Sequence, residues 1–369
     1  ARGERAGHFM WQCSRCATPV GFDDLVCARC QAALGYLPFH DEVTALPDAA
    51  WHAVTPAQRT GVTAAIGQEA PWRACANRHE AAQCNWMLSQ DEVSPLCRSC
   101  RLTTWLPDLS RLENPPRVFI LESAKRRILA TLLRLGLNAE ALAGRWGRAP
   151  LRFQFLQSLT DAQPVLTAHE AGVIVINVEE ADEPTRWREQ QAHGELQRTV
   201  SGHLRHEVAH YLHYLALADP VSALMVRRVF GDEAQDYPWA LQRHHLQGPP
   251  AGWEQRYLTA YASAHPSEDW AETCGHLLMI WQVALRARAH ELQTLGPNRI
   301  VRVPGHITLR DPSAVDLAQQ WWQPTAYALN DLCAAVGVPS LAPYAIPPGV
   351  MSKLALCQEV LIRLADRGL

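Results

Sequence analysis

Lysine is nearly absent from this chain of 369 residues, since Lys125 and Lys353 are the only lysines among its 34 basic residues. Acidic residues number 37, and the net charge of −3 gives no attraction to nucleic acid or to a membrane surface. The sequence also contains no apolar run long enough for a membrane helix, no signal peptide, no repeats and no heptads. We therefore expect a cytoplasmic protein without a membrane segment.

Cysteine, by contrast, is concentrated near the N-terminus, where eight of the 11 cysteines precede residue 101. Cys13-x2-Cys16 and Cys27-x2-Cys30 are two knuckles ten residues apart, the pattern of a zinc ribbon with four thiolates around one tetrahedral ion. A disulfide framework is the alternative. C-x-x-C pairs in a cytosolic chain are more typical of metal sites.

A second, looser cysteine set follows and predicts another four-cysteine zinc site. Its members are Cys75, Cys84, Cys97 and Cys100. Two alternatives remain open, namely that His79 replaces one cysteine or that no metal binds there.

Residues 1–111 contain ten Arg, no Lys and eleven Asp or Glu, whereas a domain that neutralises phosphates should be basic. We expect these modules to be structural or to bind a protein partner rather than nucleic acid.

The pattern H-E-x-x-H lies just after the midpoint of the chain, as His206-Glu207-Val208-Ala209-His210. Residues four apart share one face of a helix, so His206 and His210 can present ring nitrogens to one metal ion. The stretch from Leu196 to Leu217 has no proline and carries apolar residues at helical spacing, which predicts a helix. Glu207 would lie beside the open position of the metal and exchange a proton with the attacking water. This arrangement is typical of metal-assisted peptide hydrolysis.

A catalytic zinc ion usually needs a third protein ligand. The H-E-x-x-H-x-x-G-x-x-H pattern is absent, because His213 occupies the glycine position and Ala216 the last histidine position. The better candidate is a predicted helix that starts near Pro266, capped by Ser267 or a neighbour. Glu268, Glu272 and His276 share one face of this helix, and the small residues Ala271 and Gly275 lie beside them.

An H-E-x-x-H helix followed by a helix with two acidic residues four apart resembles the gluzincin metallopeptidases. That resemblance implies Glu268 as the third zinc ligand and Glu272 as the carboxylate that orients His206 from behind. The run E-D-W-A-E further resembles the lethal-factor type of gluzincin, which has a tyrosine seven residues before the ligand. Tyr261 holds that position here and is implied to stabilise the oxyanion. An ordinary buried aromatic residue is the alternative for Tyr261, and His203 is expected to support the ligands or to pack beside them.

Four phrases together resemble the bacterial zinc-binding metallopeptidases that carry an N-terminal zinc ribbon. They are Cys97-Arg98-Ser99-Cys100-Arg101-Leu102, Gly202-His203-Leu204-Arg205-His206-Glu207, Phe230-Gly231-Asp232-Glu233 and Ala260-Tyr261-Ala262-Ser263-Ala264-His265-Pro266. The likeness extends from about Cys13 to beyond Trp281. It implies a zincin-like peptidase domain, one catalytic zinc ion and one or two structural zinc ions.

We predict an α+β fold divided into a zinc ribbon at 1–40, a second four-cysteine module with its linker at 41–115, and a zincin-like metallopeptidase domain at 116–369. The boundary follows the linker signal Asn114-Pro115-Pro116. The apolar run from Gly172 to Val178 predicts a strand, either at the sheet edge, where it would pair with substrate, or in the sheet centre. Phe230 to Trp253 is expected to be a loop region.

The leading interpretation is a zinc-dependent peptidase that acts on protein or peptide substrates. Two alternatives are a non-enzymatic scaffold built on the ribbons and the zincin fold, and a zinc-dependent hydrolase of another amide. An intact Glu207 argues against the scaffold, because a binding platform needs no general base.

Overall fold

The computed structural model describes residues 11–46, 64–66, 70–89, 91–138, 146–158, 165, 167–182, 199–296, 299–338, 340 and 345–366. The strands are β1 (Leu34–Leu37), β2 (Glu42–Ala45), β3 (Ala64–Ile66), β4 (Ala70–Ala74), β5 (Met87–Ser89), β6 (Thr103–Trp105), β7 (Arg152–Leu156), β8 (Ala168–Glu170), β9 (Val173–Asn177), β10 (Gln293–Leu295) and β11 (Ile300–Arg302). The longer helices are α1 (Asn114–Arg134), α2 (Val200–Ala216), α3 (Pro220–Phe230), α4 (Tyr237–Gln247), α5 (Pro266–Ala289), α6 (Gln323–Ala335) and α7 (Pro348–Asp366). None of these helices is long and apolar enough to cross a membrane.

The first cysteine module consists of two matching turns and the antiparallel pair β1–β2. In each turn the residue after the second cysteine, Ala17 or Gln31, has a φ of 57° and donates its N–H to the carbonyl of the first cysteine. Tyr36 then donates its backbone N–H to Asn85, which joins this module to the sheet β3-β4-β5. The part of this module before Trp11 lies outside the described residues.

A four-stranded sheet in the order β6-β7-β9-β8 lies beside the helices. Its first strand, β6, follows the second cysteine set directly and pairs in parallel with β7. The predicted strand at Gly172–Val178 is β9, which lies between β7 and β8 and is therefore central. The edge strands of this sheet are β6 and β8, and β8 is a short strand that the sequence did not predict.

Two long helices, α2 and α5, cross closely in the middle of the molecule. Trp270 on α5 is fully buried and donates its indole N–H to the Ala209 carbonyl at 3.0 Å. A Cβ added at Gly275 would lie 3.6 Å from the His206 backbone nitrogen, which is van der Waals contact, so the two backbones lie close together at this crossing. The predicted helix at Leu196–Leu217 is α2, which begins at Val200 under a Thr199 cap; residues 196–198 lie outside the described part. His265, rather than Ser267, caps α5 by accepting from the Ser267 N–H.

Two segments that the sequence analysis interpreted as a linker and a loop contain helix. Asn114-Pro115-Pro116 is the first turn of α1, where proline is tolerated because those N–H groups have no intrahelical partner. The supposed loop after Phe230 contains α4, with Asp236 as its cap and Pro238 in its first turn.

Asp23 connects the first cysteine module to α1. Its carboxylate accepts hydrogen bonds from Ser123 at 2.7 Å, from Arg126 at 3.2 Å and from Arg127. Arg126 is completely buried and also donates to the Ala82 carbonyl. One continuous core runs from Cys13 to Leu364, so the cysteine modules and the helical part are packed together.

We predict that Asp23→Ala lowers the free energy of unfolding by about 3 kcal/mol, because it leaves the buried Arg126 without its carboxylate. Asp24→Ala is the matched control, since Asp24 is exposed and accepts only a local hydrogen bond from Gly21. Its expected cost is below about 1 kcal/mol. Urea unfolding of both variants measures the difference. Equal stability of the two variants would contradict the proposed connection.

Candidate metal centre

The side chains of His206, His210 and Glu268 converge where α2 and α5 cross. The two Nε2 atoms are 3.0 Å apart, and the Glu268 oxygens lie 3.1 Å from His206 Nε2 and 3.4 Å from His210 Nε2. One ligand atom from each residue lies within 4.8 Å of the others. Four-coordinate zinc with bonds of about 2.0–2.1 Å separates its ligand atoms by about 3.3 Å, so these spacings fit one ion.

Glu272 lies behind His206, as the resemblance implied. Its Oε1 is 2.7 Å from His206 Nδ1, which leaves Nε2 directed at Glu268. Burial opposes charge on His206, yet Glu268 and Glu272 raise its pKa well above the usual value. Burial likewise opposes the anionic form of Glu268, but His210 and His206 hold its pKa well below the usual range. The pocket therefore attracts positive charge, which a divalent cation can supply in place of protons.

Glu207 is buried next to these atoms, and its two carboxylate oxygens differ. Oε1 lies 3.3 Å from His203 Nε2, whereas Oε2 is buried and has no hydrogen-bond partner among the described residues. Burial raises the pKa of Glu207, but the hydrogen bond and charge of His203 outweigh this and keep it below the usual value. An anionic oxygen without a partner beside three convergent ligand atoms fits a water or a cation at that position.

A hydrogen-bonded chain extends from Glu207 toward the sheet. His203 Nδ1 contacts the buried carboxylate of Glu180, and Glu180 accepts from Thr167 Oγ1. Thr167 immediately precedes the edge strand β8. The sequence predicted a supporting role for His203 but contained no signal for Glu180, which follows β9 in a short 3-10 turn.

Two tyrosines lie beside the centre, of which the sequence identified one. Tyr261 lines the cleft with its ring centroid 6.3 Å from that of His206. Tyr237, at the start of α4, donates its O–H to Glu268 Oε1 at 2.7 Å. Burial raises the pKa of Tyr237, and the Glu268 charge raises it further. Tyr237 was missed because its segment was interpreted as a loop.

The centre opens into a cleft of about 1010 Å³. One wall is β8, where the His169 ring stacks parallel to that of His210 at 6.5 Å. The turn after β8 has positive φ at both Ala171 and Gly172, the signature of a type I′ hairpin. In such a hairpin Glu170 and Val173 are a hydrogen-bonded pair, so the N–H and C=O of His169 point away from β9 to the open edge.

Both cysteine sets are assembled as four-thiol clusters. In the first, Cys13 and Cys30 have sulfurs 3.6 Å apart, and so do Cys16 and Cys27. The second set gives the same 3.6 Å between Cys84 and Cys97, with Cys75 and Cys100 completing it. This spacing is far from the roughly 2.05 Å of a disulfide and close to the roughly 3.8 Å edge of a zinc–sulfur tetrahedron. All 11 cysteines are free thiols, and His79 does not belong to the second cluster.

Two buried arginines balance charge at the second cluster. Burial lowers the pKa of Arg78 to about 10, and the Cys84 thiolate opposes that shift. Burial acts in the same sense on Arg126, but Cys84 and Asp23 raise its pKa above the usual value. Four thiolates around Zn²⁺ carry a net charge of −2, so two neighbouring guanidinium groups suit a metal cluster better than neutral thiols.

Comparison with known proteins finds a match for the N-terminal part of the chain and another for the remainder. Residues 114–360 match the family described as "Putative zinc-binding metallo-peptidase", and residues 10–111 match a zinc-ribbon domain. Uncharacterised proteins of Mycobacterium bovis and Mycobacterium tuberculosis are 30% identical over 368 residues, which cover 96% of this chain and 96% of theirs. No solved structure matches.

These matches confirm the predicted fold class, a mixed helix and sheet chain with four-cysteine zinc-ribbon modules ahead of a metallopeptidase domain. Zinc is the metal supported by the family descriptions and by both cysteine clusters. The chain belongs to the family described as "Putative zinc-binding metallo-peptidase" and carries an N-terminal zinc-ribbon domain.

Proposed function

We propose that this chain is a gluzincin-type peptidase that hydrolyses peptide bonds with zinc held by His206, His210 and Glu268. The observation that carries the proposal is the unpartnered Glu207 Oε2 beside these three convergent ligands. When bound, zinc supplies a Lewis acid that acidifies water and polarises a carbonyl group. Tetrahedral clusters at Cys13–Cys30 and Cys75–Cys100 would hold two further, structural ions.

In this proposal the protein residues perform the proton transfers. Glu207 takes a proton from the attacking water through Oε2 and returns it to the leaving amine. His203 holds Oε1, so the carboxylate cannot rotate away from the water. Tyr261 donates its O–H to the carbonyl oxygen as negative charge develops there. Glu272 keeps His206 in the tautomer that leaves Nε2 for the metal.

The cleft favours an extended peptide over another amide. The outward N–H and C=O of His169 on β8 can pair with the backbone of a substrate strand, which is recognition by strand addition. We assign this role to β8, because β9 is enclosed by β7 and β8 and the other edge strand, β6, does not line the cleft. A cytoplasmic location is part of the proposal, because thiolate zinc clusters persist in a reducing compartment.

A non-enzymatic protein-binding platform is the rival function. It has no use for a buried carboxylate oxygen without a partner, which costs free energy and is retained at sites that work on a ligand. The zinc ribbons remain candidates for contact with a protein partner.

We predict three zinc ions per chain in protein purified without added metal, because three ligand groups are assembled. Mass spectrometry of the metal content should give two ions for His206→Ala and two for the double variant Cys27→Ser, Cys30→Ser. A content near zero in wild-type protein, together with disulfides among the N-terminal cysteines, would overturn the metal assignments.

Replacement of two neighbouring acidic residues on α5, one at a time, should show which of them binds zinc. Glu268→Gln is expected to lose one of the three zinc ions, because a neutral amide is a poor ligand. Asp269→Asn is the matched control and should keep all three, because Asp269 Oδ2 is directed at Lys353 Nζ at 2.6 Å on α7. The same metal analysis measures both. Loss of zinc from Asp269→Asn with retention in Glu268→Gln would replace the gluzincin assignment by one with an aspartate ligand.

Glu207→Gln should fold and hold three zinc ions while its turnover falls by roughly 10²–10⁴-fold, since glutamine cannot accept a proton. Cleavage of fluorescein-labelled casein and of a proteome-derived peptide pool measures the change. Glu254→Gln, at an exposed position outside the centre, is the control and should cleave like wild type. Equal rates for Glu207→Gln and wild type would show that Glu207 is not the general base.

A further inference from the structure

An arginine lines the cleft next to the proposed ligand His206. Arg205 is the only Lys or Arg among the described residues lining the cleft, whose acidic groups are all glutamates. Its guanidinium donates to Gln282 Oε1 at 3.0 Å, and no carboxylate of the described chain forms an ion pair with it. The Arg205 side chain is half-buried. A cation that loses water without gaining an anion carries an uncompensated desolvation cost.

A buried histidine on α5 also lines the cleft. His276 is 3% exposed, and neither of its ring nitrogens has a hydrogen-bond partner within the described residues. Burial lowers the pKa of His276 to about 4, with Glu272 opposing the shift and Arg205 reinforcing it. The ring is therefore neutral at pH 7 and offers one N–H donor.

We propose that Arg205 and His276 form a subsite that binds a carboxylate of the substrate. This inference rests on the proposed peptidase function and deepens it by naming a substrate class, namely peptides with a negatively charged carboxylate at a fixed position. The guanidinium fork matches a planar carboxylate, and the imidazole N–H supplies a further donor. The bound anion would compensate the charge of Arg205 and satisfy His276 together.

The position of the subsite sets its distance from the cleaved bond. His276 follows Glu268 by eight residues, so it lies about 12 Å further along α5. An extended peptide spans about 3.3–3.6 Å per residue. The carboxylate therefore belongs to a residue about three or four positions from the cleaved bond, either as the C-terminal carboxylate or as an acidic side chain.

Binding to an inactive variant tests the subsite without any need for turnover. Zinc-loaded Glu207→Gln protein is immobilised and offered three combinatorial nonapeptide libraries. The first ends in a carboxylate and lacks Asp and Glu, the second is its carboxamide counterpart, and the third is a carboxamide library that includes Glu. We expect retention of the first or the third to exceed that of the second by roughly tenfold. Whichever is retained identifies the source of the carboxylate.

Added to the Glu207→Gln protein, Arg205→Gln should abolish the preference. Arg228→Gln, at an exposed position of α3, should leave it intact. Equal retention of all three libraries, or no retention of any, overturns the subsite, and so does a preference that survives in Arg205→Gln. The library comparison does not depend on the folding of the Arg205 variant. Cleavage of casein without a carboxylate preference would remove the subsite and leave the peptidase, whereas a preference without cleavage would do the reverse.

Discussion

The close crossing of α2 and α5 is the constraint on which the rest of the structure depends. Trp270 binds the Ala209 carbonyl on one side of the crossing, and Gly275 admits the His206 backbone on the other. The helices therefore run in opposite directions, and the first turns of α5 face the H-E-x-x-H stretch. Two histidines and two glutamates from distant parts of the chain meet on rigid helices rather than on loops, which favours precise metal geometry.

Much of this centre could be predicted, because helical spacing determines which residues share a face. His206 and His210 follow from one four-residue step, and Glu268 and Glu272 from another. The structure brings all four together, while their roles stay predictions. Tyr237 and Glu180 could not be found in this way, because each comes from a single position in a segment without a periodic pattern. Only tertiary packing brings them to the cleft.

The domain organisation was less accessible from sequence. A break at Asn114 was natural because two prolines follow it, yet the chain continues directly into α1, and β6 had already joined the sheet through β7. The contacts of Asp23 with Arg126 add a further connection. Boundaries near residues 40 and 115 remain a proposal, since the cysteine clusters and the helical part share one core. From this packing we expect the ribbons to stabilise the peptidase domain, in addition to binding any protein partner.

We propose that one metal ion lies between α2 and α5 with Glu207 facing it. Anomalous diffraction at the zinc absorption edge, on crystals of the full chain, would locate this ion. We expect one peak within about 2.2 Å of His206 Nε2, His210 Nε2 and a Glu268 oxygen, in addition to one peak in each cysteine cluster. We also expect Glu207 to contact the ion only through water. Peaks confined to the cysteine clusters in zinc-saturated crystals, or a direct bond from Glu207 to the metal, would contradict it.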